Sequence, residues 1–234
     1  MEFKENLIEK FKNYGFELTE NQAEKFCNYY AILVEENSKY NLTAITSDDE
    51  VITKHFIDSV LPLSLFGDGE KILDIGSGAG FPAVPLSIMN PELKITAIDA
   101  VNKKVNFINM VAPRLNLSNL KAIHSRAEDF IKKENCRESF DIVTSRAVAN
   151  FSTISEYSLP FIELNGKMIA YKGSNALEEL EVAKNAIKIL GGKVGDVLNF
   201  SLEDMERKIV VIHKVVQTPA KYPRSQNKPR TNPL

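Results

Sequence analysis

The chain has 234 residues and a formal net charge of −2, with 44% hydrophobic and 26% charged residues. This length can bury a sizeable core without staples, and it suits one domain, or one domain with a helical extension. A broad nucleic-acid-binding face would require a more basic balance, so any RNA contact must be concentrated in a patch.

The first ten residues carry charges throughout, which predicts no secretory leader. Phe3, Leu7, Ile8 and Phe11 recur at helical spacing and predict a first helix over 2–14. Thr19 is placed to cap a second helix running to about residue 36. Its expected core stripe is Ala23, Phe26, Cys27, Tyr30, Leu33 and Val34. Residues 41–45 (Asn-Leu-Thr-Ala-Ile) break the helical pattern. Ser47, followed by Asp48, Asp49 and Glu50, begins a third helix, with acids in the first turn where the dipole favours them. His55-Phe56-Ile57-Asp58-Ser59 lies in or near a helix that ends before the turn at 66–69.

After residue 70 the period changes. Short apolar runs alternate with amphipathic stretches, the pattern of a mostly parallel sheet with helices on both faces. Strands are expected at 71–75, 94–99, 119–123, 140–145, 166–172, 194–200 and 208–215. Helices are expected over 103–115 and 175–190, the latter closed by Gly191-Gly192. The last two strands should form a hairpin turning through Leu202 to Arg207. No apolar run approaches the ~20 residues of a membrane span. Cys27 and Cys136 form no C-x-x-C pair, which suits a reducing compartment. The three histidines have no metal-ligand spacing, so no metal site is expected. A cytoplasmic location follows by elimination.

The stretch that carries chemistry is Lys71-Ile72-Leu73-Asp74-Ile75-Gly76-Ser77-Gly78-Ala79-Gly80-Phe81. A strand running into alternate glycines and then a helix is a nucleotide-binding corner of an open α/β sheet. Pro82 and Pro85 fall in the first turn of that helix. The G-x-G-x-x-G spacing of dinucleotide loops is absent, because Phe81 takes the sixth place. Asp74 stands two residues before the first glycine, where it would repel a diphosphate and attract a cation. S-adenosylmethionine, with its sulfonium and ammonium, fits better than NAD. Asp99 ends the next strand, about 20 residues on, where a carboxylate grips ribose hydroxyls.

Residues 124–129 (His-Ser-Arg-Ala-Glu-Asp) follow the third strand. Ala127 and Glu128 there can face an adenine, while Ser125 and Glu128 also have capping-box spacing. Arg146 ends the fourth strand, where its paired donors suit a cofactor carboxylate, a phosphate or a guanine edge. The bland alternative is a salt bridge to Glu128 or Asp74. From Lys221 on, the composition turns basic and acid-free. Lys221, Arg224, Lys228 and Arg230 are candidate RNA phosphate contacts, and Pro223, Pro229 and Pro233 argue against regular structure. A merely disordered, solvated tail is the alternative.

Taken together, residues 41–45, 55–59, 73–82, Ser125-Arg126-Ala127-Glu128 and Ser145-Arg146-Ala147 resemble, in order, the motifs of the bacterial 16S rRNA guanine-N7 methyltransferases, the glucose-inhibited division protein B family. The resemblance runs nearly end to end. It implies a Rossmann-like class I α/β fold with a seven-stranded sheet. It divides the chain into a helical extension (1–69), a cofactor-binding domain (70–216) and a basic tail (217–234). It implies S-adenosylmethionine as cofactor, contacted by Gly76, Phe81, Ala127, Glu128 and Arg146, with Gly78 in the same loop. Arg146 is also the candidate catalytic residue. The implied substrate is 16S rRNA or the small ribosomal subunit, and nothing in the sequence demands more than a monomer. The family tail resembles Tyr-Pro-Arg-Arg/Lys-x-Gly-x-Pro-x-Lys-x-Pro-Leu. Here Ser225, Asn227 and Thr231 replace a basic residue, glycine and lysine. A small-molecule methyltransferase and a non-catalytic RNA-binding assembly factor are the competing readings. Deleting 221–234 is expected to weaken RNA binding and leave cofactor binding unchanged.

Overall fold

In the computed structural model, which describes residues 2–146 and 149–234, seven strands form one sheet in the order β3-β2-β1-β4-β5-β7-β6. The strands are β1 (Lys71–Ile75), β2 (Lys94–Asp99), β3 (Leu120–His124), β4 (Phe140–Arg146), β5 (Ile162–Lys172), β6 (Gly192–Leu202) and β7 (Met205–Lys214). The first five are parallel, and β7 enters antiparallel between β5 and β6. Strand order reverses at β1, whose neighbours are β2 and β4. This is the switch point beyond which open α/β sheets bind ligands. The expected hairpin exists but is tighter than predicted. Its strands run on to Leu202 and from Met205, and Glu203 turns the chain at φ +51°. Composition suggested a longer turn because these polar residues occupy the exposed end of the hairpin.

Period-2 alternation divides each strand between two cores. Ile72 faces one core, while Leu73 and Ile75 face the other. The first core is shared with the amino-terminal helices. In α1 (Phe3–Asn13), Leu7 and Phe11 are buried, but Ile8 is exposed. In α2 (Glu20–Tyr40), Ala23, Phe26, Tyr29 and Leu33 are buried, whereas Val34 is exposed and Cys27 and Tyr30 are half-buried. The expected stripe thus sat one position off at Tyr29. Thr19 and Gln22 form the capping box of α2. The helix runs a turn beyond the expected end because Asn41, left-handed at φ +48°, is its C-cap.

The third helical segment is continuous from Asp48–Val51 through a π-helical Ile52–Ile57 to Asp58–Val60. Ser47 stands before it but makes no side-chain cap, and its hydroxyl donates to Glu50 instead. Helices over Ala83–Met89 and Asn102–Arg114 complete that face. Phe151–Ser158 and Ala176–Ile189 cover the other.

The basic segment is ordered, not a solvated tail. Tyr222 and Pro229 are buried, and Lys228–Thr231 forms a helical turn with its proline in the tolerated first positions. Glu156, fully buried, accepts from the Arg224 backbone N–H (2.8 Å) and from its guanidinium, at 2.9 Å for Nε and 2.6 Å for Nη2. Thr153 Oγ1 donates to the Pro229 carbonyl at 2.8 Å, and Tyr157 OH donates to Asn227 at 3.3 Å. Prolines predicted irregularity, but the docking comes from an ion pair whose acidic partner lies 68 residues upstream.

Candidate active site

The glycine loop leaves β1 and folds back on itself. Gly76 N–H donates to the Ile98 carbonyl at 2.8 Å, and Gly80 and Phe81 N–H donate to that of Ser77 at 2.8 and 2.9 Å. A Cβ on Gly80 (φ +101°) would lie 2.6 Å from Val84 and 3.1 Å from the Tyr29 hydroxyl, so only glycine fits. A Cβ on Gly78 (φ +58°) would meet nothing within 4 Å, so that backbone faces open space. Tyr29 OH donates to the Ala79 carbonyl at 2.6 Å. An amino-terminal helix therefore holds the loop directly.

Asp74 is buried at the end of β1. Its Oδ1 accepts from Thr144 Oγ1 at 2.8 Å, and its Oδ2 has no hydrogen-bond partner among the described residues. Burial pushes this carboxyl up to about 7, only partly opposed by Ser77 and Thr144. An orphaned buried carboxylate oxygen beside a glycine loop suits a cationic ligand group. Asp99, also buried, accepts from Gly78 N–H at 3.0 Å and from Val101 N–H at 2.8 Å. Those bonds fix its carboxylate at the carboxyl end of β2.

A cavity of about 360 Å³ opens there. Gly76, Asp99, Ala127 and Glu128 line it, together with Asn227 and Arg230 from the docked basic segment. Four expected residues thus share one wall, whereas Asp74, Gly78, Phe81 and Arg146 stand behind or beside it. Ser125 and Glu128 do not form the expected capping box. Arg126 is the N-cap residue, without a side-chain cap, and Ser125 Oγ donates to its carbonyl. A larger cavity, about 630 Å³, lies at the amino ends of the strands among Lys71, Lys94 and Lys121. Open α/β sheets bind ligands beyond the carboxyl ends of their strands, so the chemistry belongs to the smaller cavity.

Arg146 is held by partners that sequence reasoning did not name. Its Nη1 donates to Asp58 Oδ2 at 2.8 Å and to the Lys54 carbonyl at 3.2 Å. Its Nη2 donates to His55 Nδ1 at 2.7 Å. The expected alternatives, Glu128 and Asp74, are not its partners. Because Nδ1 accepts, the His55 proton sits on Nε2, which donates to Thr43 Oγ1 at 2.9 Å. Burial, and then the Arg146 charge, push His55 down to about 3, so it is a neutral ring at physiological pH. It stacks on Phe81 with centroids 4.3 Å apart, and the Arg146 guanidinium lies 5.4 Å from the Phe81 centroid. Asp58, fully buried, also accepts from Arg207 Nε at 2.6 Å. The π-helical stretch Ile52–Ile57 delivers both His55 and the Asp58 that follows it to the end of β4. Ala147, the last residue of that sequence motif, lies outside the described residues.

A family model described as rRNA small subunit methyltransferase G matches residues 22–210. A protein of Oceanobacillus iheyensis named ribosomal RNA small subunit methyltransferase G is 49% identical over 234 residues, covering 98% of each chain. One of Clostridium botulinum with the same name is 44% identical over 238 residues, covering all of both chains. The chain belongs to this family. The methyltransferase G match stops at residue 210, so Asn227 and Arg230 lie beyond it, though inside the span shared with the Clostridium relative. Among solved structures, the Bacillus subtilis YcgJ protein aligns with TM-score 0.53 at 14% identity, covering 70% of this chain and all of that one. A 16S rRNA (adenine(1408)-N(1))-methyltransferase from Catenulisporales acidiphilia aligns with TM-score 0.52 at 12% identity, covering 65% and 88%. These two likenesses speak to the fold, which is the Rossmann-like class I arrangement.

Proposed function

We propose that the protein transfers the methyl group of S-adenosylmethionine to N7 of a guanine in 16S rRNA. The observation that carries the cofactor is Asp74, whose buried, unpartnered Oδ2 beside the glycine loop suits a positively charged amino group. The full-length relatives' names support the rRNA substrate. When bound, the cofactor supplies an electrophilic methyl on a sulfonium. Asp74 would take its ammonium and Asp99 the ribose hydroxyls, with Gly76, Ala127 and Glu128 bordering the base.

Guanine N7 has a free lone pair and no proton to lose, so no general base is required. The residues act by positioning, which contributes ~7–11 kcal/mol when two reactants are held in line. Arg146, locked by His55 and Asp58 beside Phe81, is the positioning group between cofactor and base. Lys221 and Lys228, both exposed, are the phosphate contacts of the basic segment, while Arg224 docks it and Arg230 borders the cofactor. The enzyme works as a cytoplasmic monomer on small ribosomal subunits. Among the described residues, no helix is long and apolar enough to cross a membrane.

The test is transfer from labelled S-adenosylmethionine to small subunits from cells lacking the enzyme, with the product mapped by mass spectrometry. One 7-methylguanine in 16S rRNA is the expected product. Cofactor binding without incorporation into subunits or free RNA would instead favour a small-molecule acceptor or a non-catalytic role.

A further inference from the structure

A second cavity, about 500 Å³, opens on the other side of Arg146, at the carboxyl ends of β4 and β5. Ala149 borders both this cavity and the 360 Å³ one, so the two are neighbours across a thin wall. From the cavity and its lining we infer that it receives the target guanine, and that the Lys172–Glu179 pair reads its Watson–Crick edge. The inference rests on the guanine-methylating role given above.

The lining has the character of a nucleobase site. Ile45 and Met205 give apolar walls for the faces of a ring, and Arg146 and Arg207, two cations on the single acid Asp58, leave net positive charge for its phosphate. Lys172 and Glu179 place a donor and an acceptor side by side, with Nζ 2.6 Å from Oε2. Lys172 is further fixed by donating to the Ala149 carbonyl at 2.6 Å and by lying 4.6 Å from the Phe151 ring centroid. The order of charges matters. A base attacking through N7 must leave that atom to the methyl group, so recognition falls on the opposite edge. Guanine offers O6 as acceptor there, followed by the N1–H and N2–H donors. An ammonium beside a carboxylate matches that sequence. Adenine presents a donor and then an acceptor, and mismatches at both positions. A good two-point base contact discriminates about tenfold to a hundredfold.

Gly173 supplies a clean test. It lines the cavity, and a Cβ built on it meets nothing within 4 Å, so a larger side chain enters open space without disturbing the fold. Gly173→Leu is expected to lower kcat/KM for small subunits by about a hundredfold or more, leaving the melting temperature unchanged and the S-adenosylmethionine Kd within twofold of wild type. Glu179→Gln keeps the shape but loses one acceptor, and should lower kcat/KM about tenfold while narrowing the preference for guanine over adenine at the target position. Wild-type rates in both Gly173→Leu and Glu179→Gln would overturn the assignment, even if the wild type makes 7-methylguanine. If the wild type methylates another RNA atom, the guanine-N7 role falls, and an unaffected Gly173→Leu rate would still remove the pocket as acceptor site. Absence of any transfer by the wild type would overturn both.

Discussion

On the proposed reading, Asp74 couples cofactor binding to pH. Its carboxyl titrates near 7 when unliganded, and a bound ammonium favours the charged form. S-adenosylmethionine affinity should therefore fall toward tenfold per unit below pH 7, as calorimetry from pH 5 to 7 would show. The stability sign runs the other way. A carboxyl raised above its ordinary 3.8 favours folding most below that value and loses its contribution as pH rises through 7. Asp74→Asn should thus weaken cofactor binding tenfold or more, remove its pH dependence, and raise the melting temperature at pH 8. Arg146 holds the fold as well as the proposed site. Asp58 is fully buried and keeps only Arg207 as ionic partner once Arg146 is removed. Losing a partner from a buried ion pair costs about 3–5 kcal/mol, and Arg207 offsets part of this. Arg146→Ala should therefore unfold about 2–4 kcal/mol more easily in urea, besides losing transfer.

At the scale of elements, strand positions were readable because burial imposes period 2, and the strand-end placement of Asp74 and Asp99 was readable because each closes an apolar run. Tyr29 was missed by one place in a helical stripe, although Phe26, Tyr29 and Leu33 keep the spacing of one face. Thr43, His55 and Asp58 stood inside recognised motifs without a role, since nothing local reveals a partner 88 residues on. The basic segment misled for a related reason. Its charge suggested RNA throughout, whereas Arg224 belongs to Glu156, and Asn227 and Arg230 wall the 360 Å³ cavity. On the proposed reading its deletion would remove part of the cofactor site, contrary to the expectation from sequence. Arg224→Ala, which leaves Glu156 buried without its ion, should free residues 221–234 to proteolysis and weaken S-adenosylmethionine binding about fivefold to tenfold. Limited digestion and calorimetry on the same sample would check both.

For the whole molecule, a net charge of −2 makes RNA affinity local. The cations near the two cavities include Lys54, Lys104, Arg126, Lys172, Arg207 and Arg230, and several already serve internal acids. With about three to five phosphates neutralised, log K against log salt should have a slope of about −2 to −3.5, by the single-strand rule of −0.7 per phosphate. A salt titration of subunit binding reads this directly. The 360 Å³ cavity also draws its walls from Gly76 through Arg230, and β7 enters the sheet only after β5 and β6 have been made. During synthesis, then, the glycine loop emerges long before the segment that completes its cavity. A chain terminated anywhere before residue 227 leaves its ribosome with this cavity open on one side, so premature products are expected to hold the proposed cofactor about fivefold to tenfold more weakly from the moment of their release.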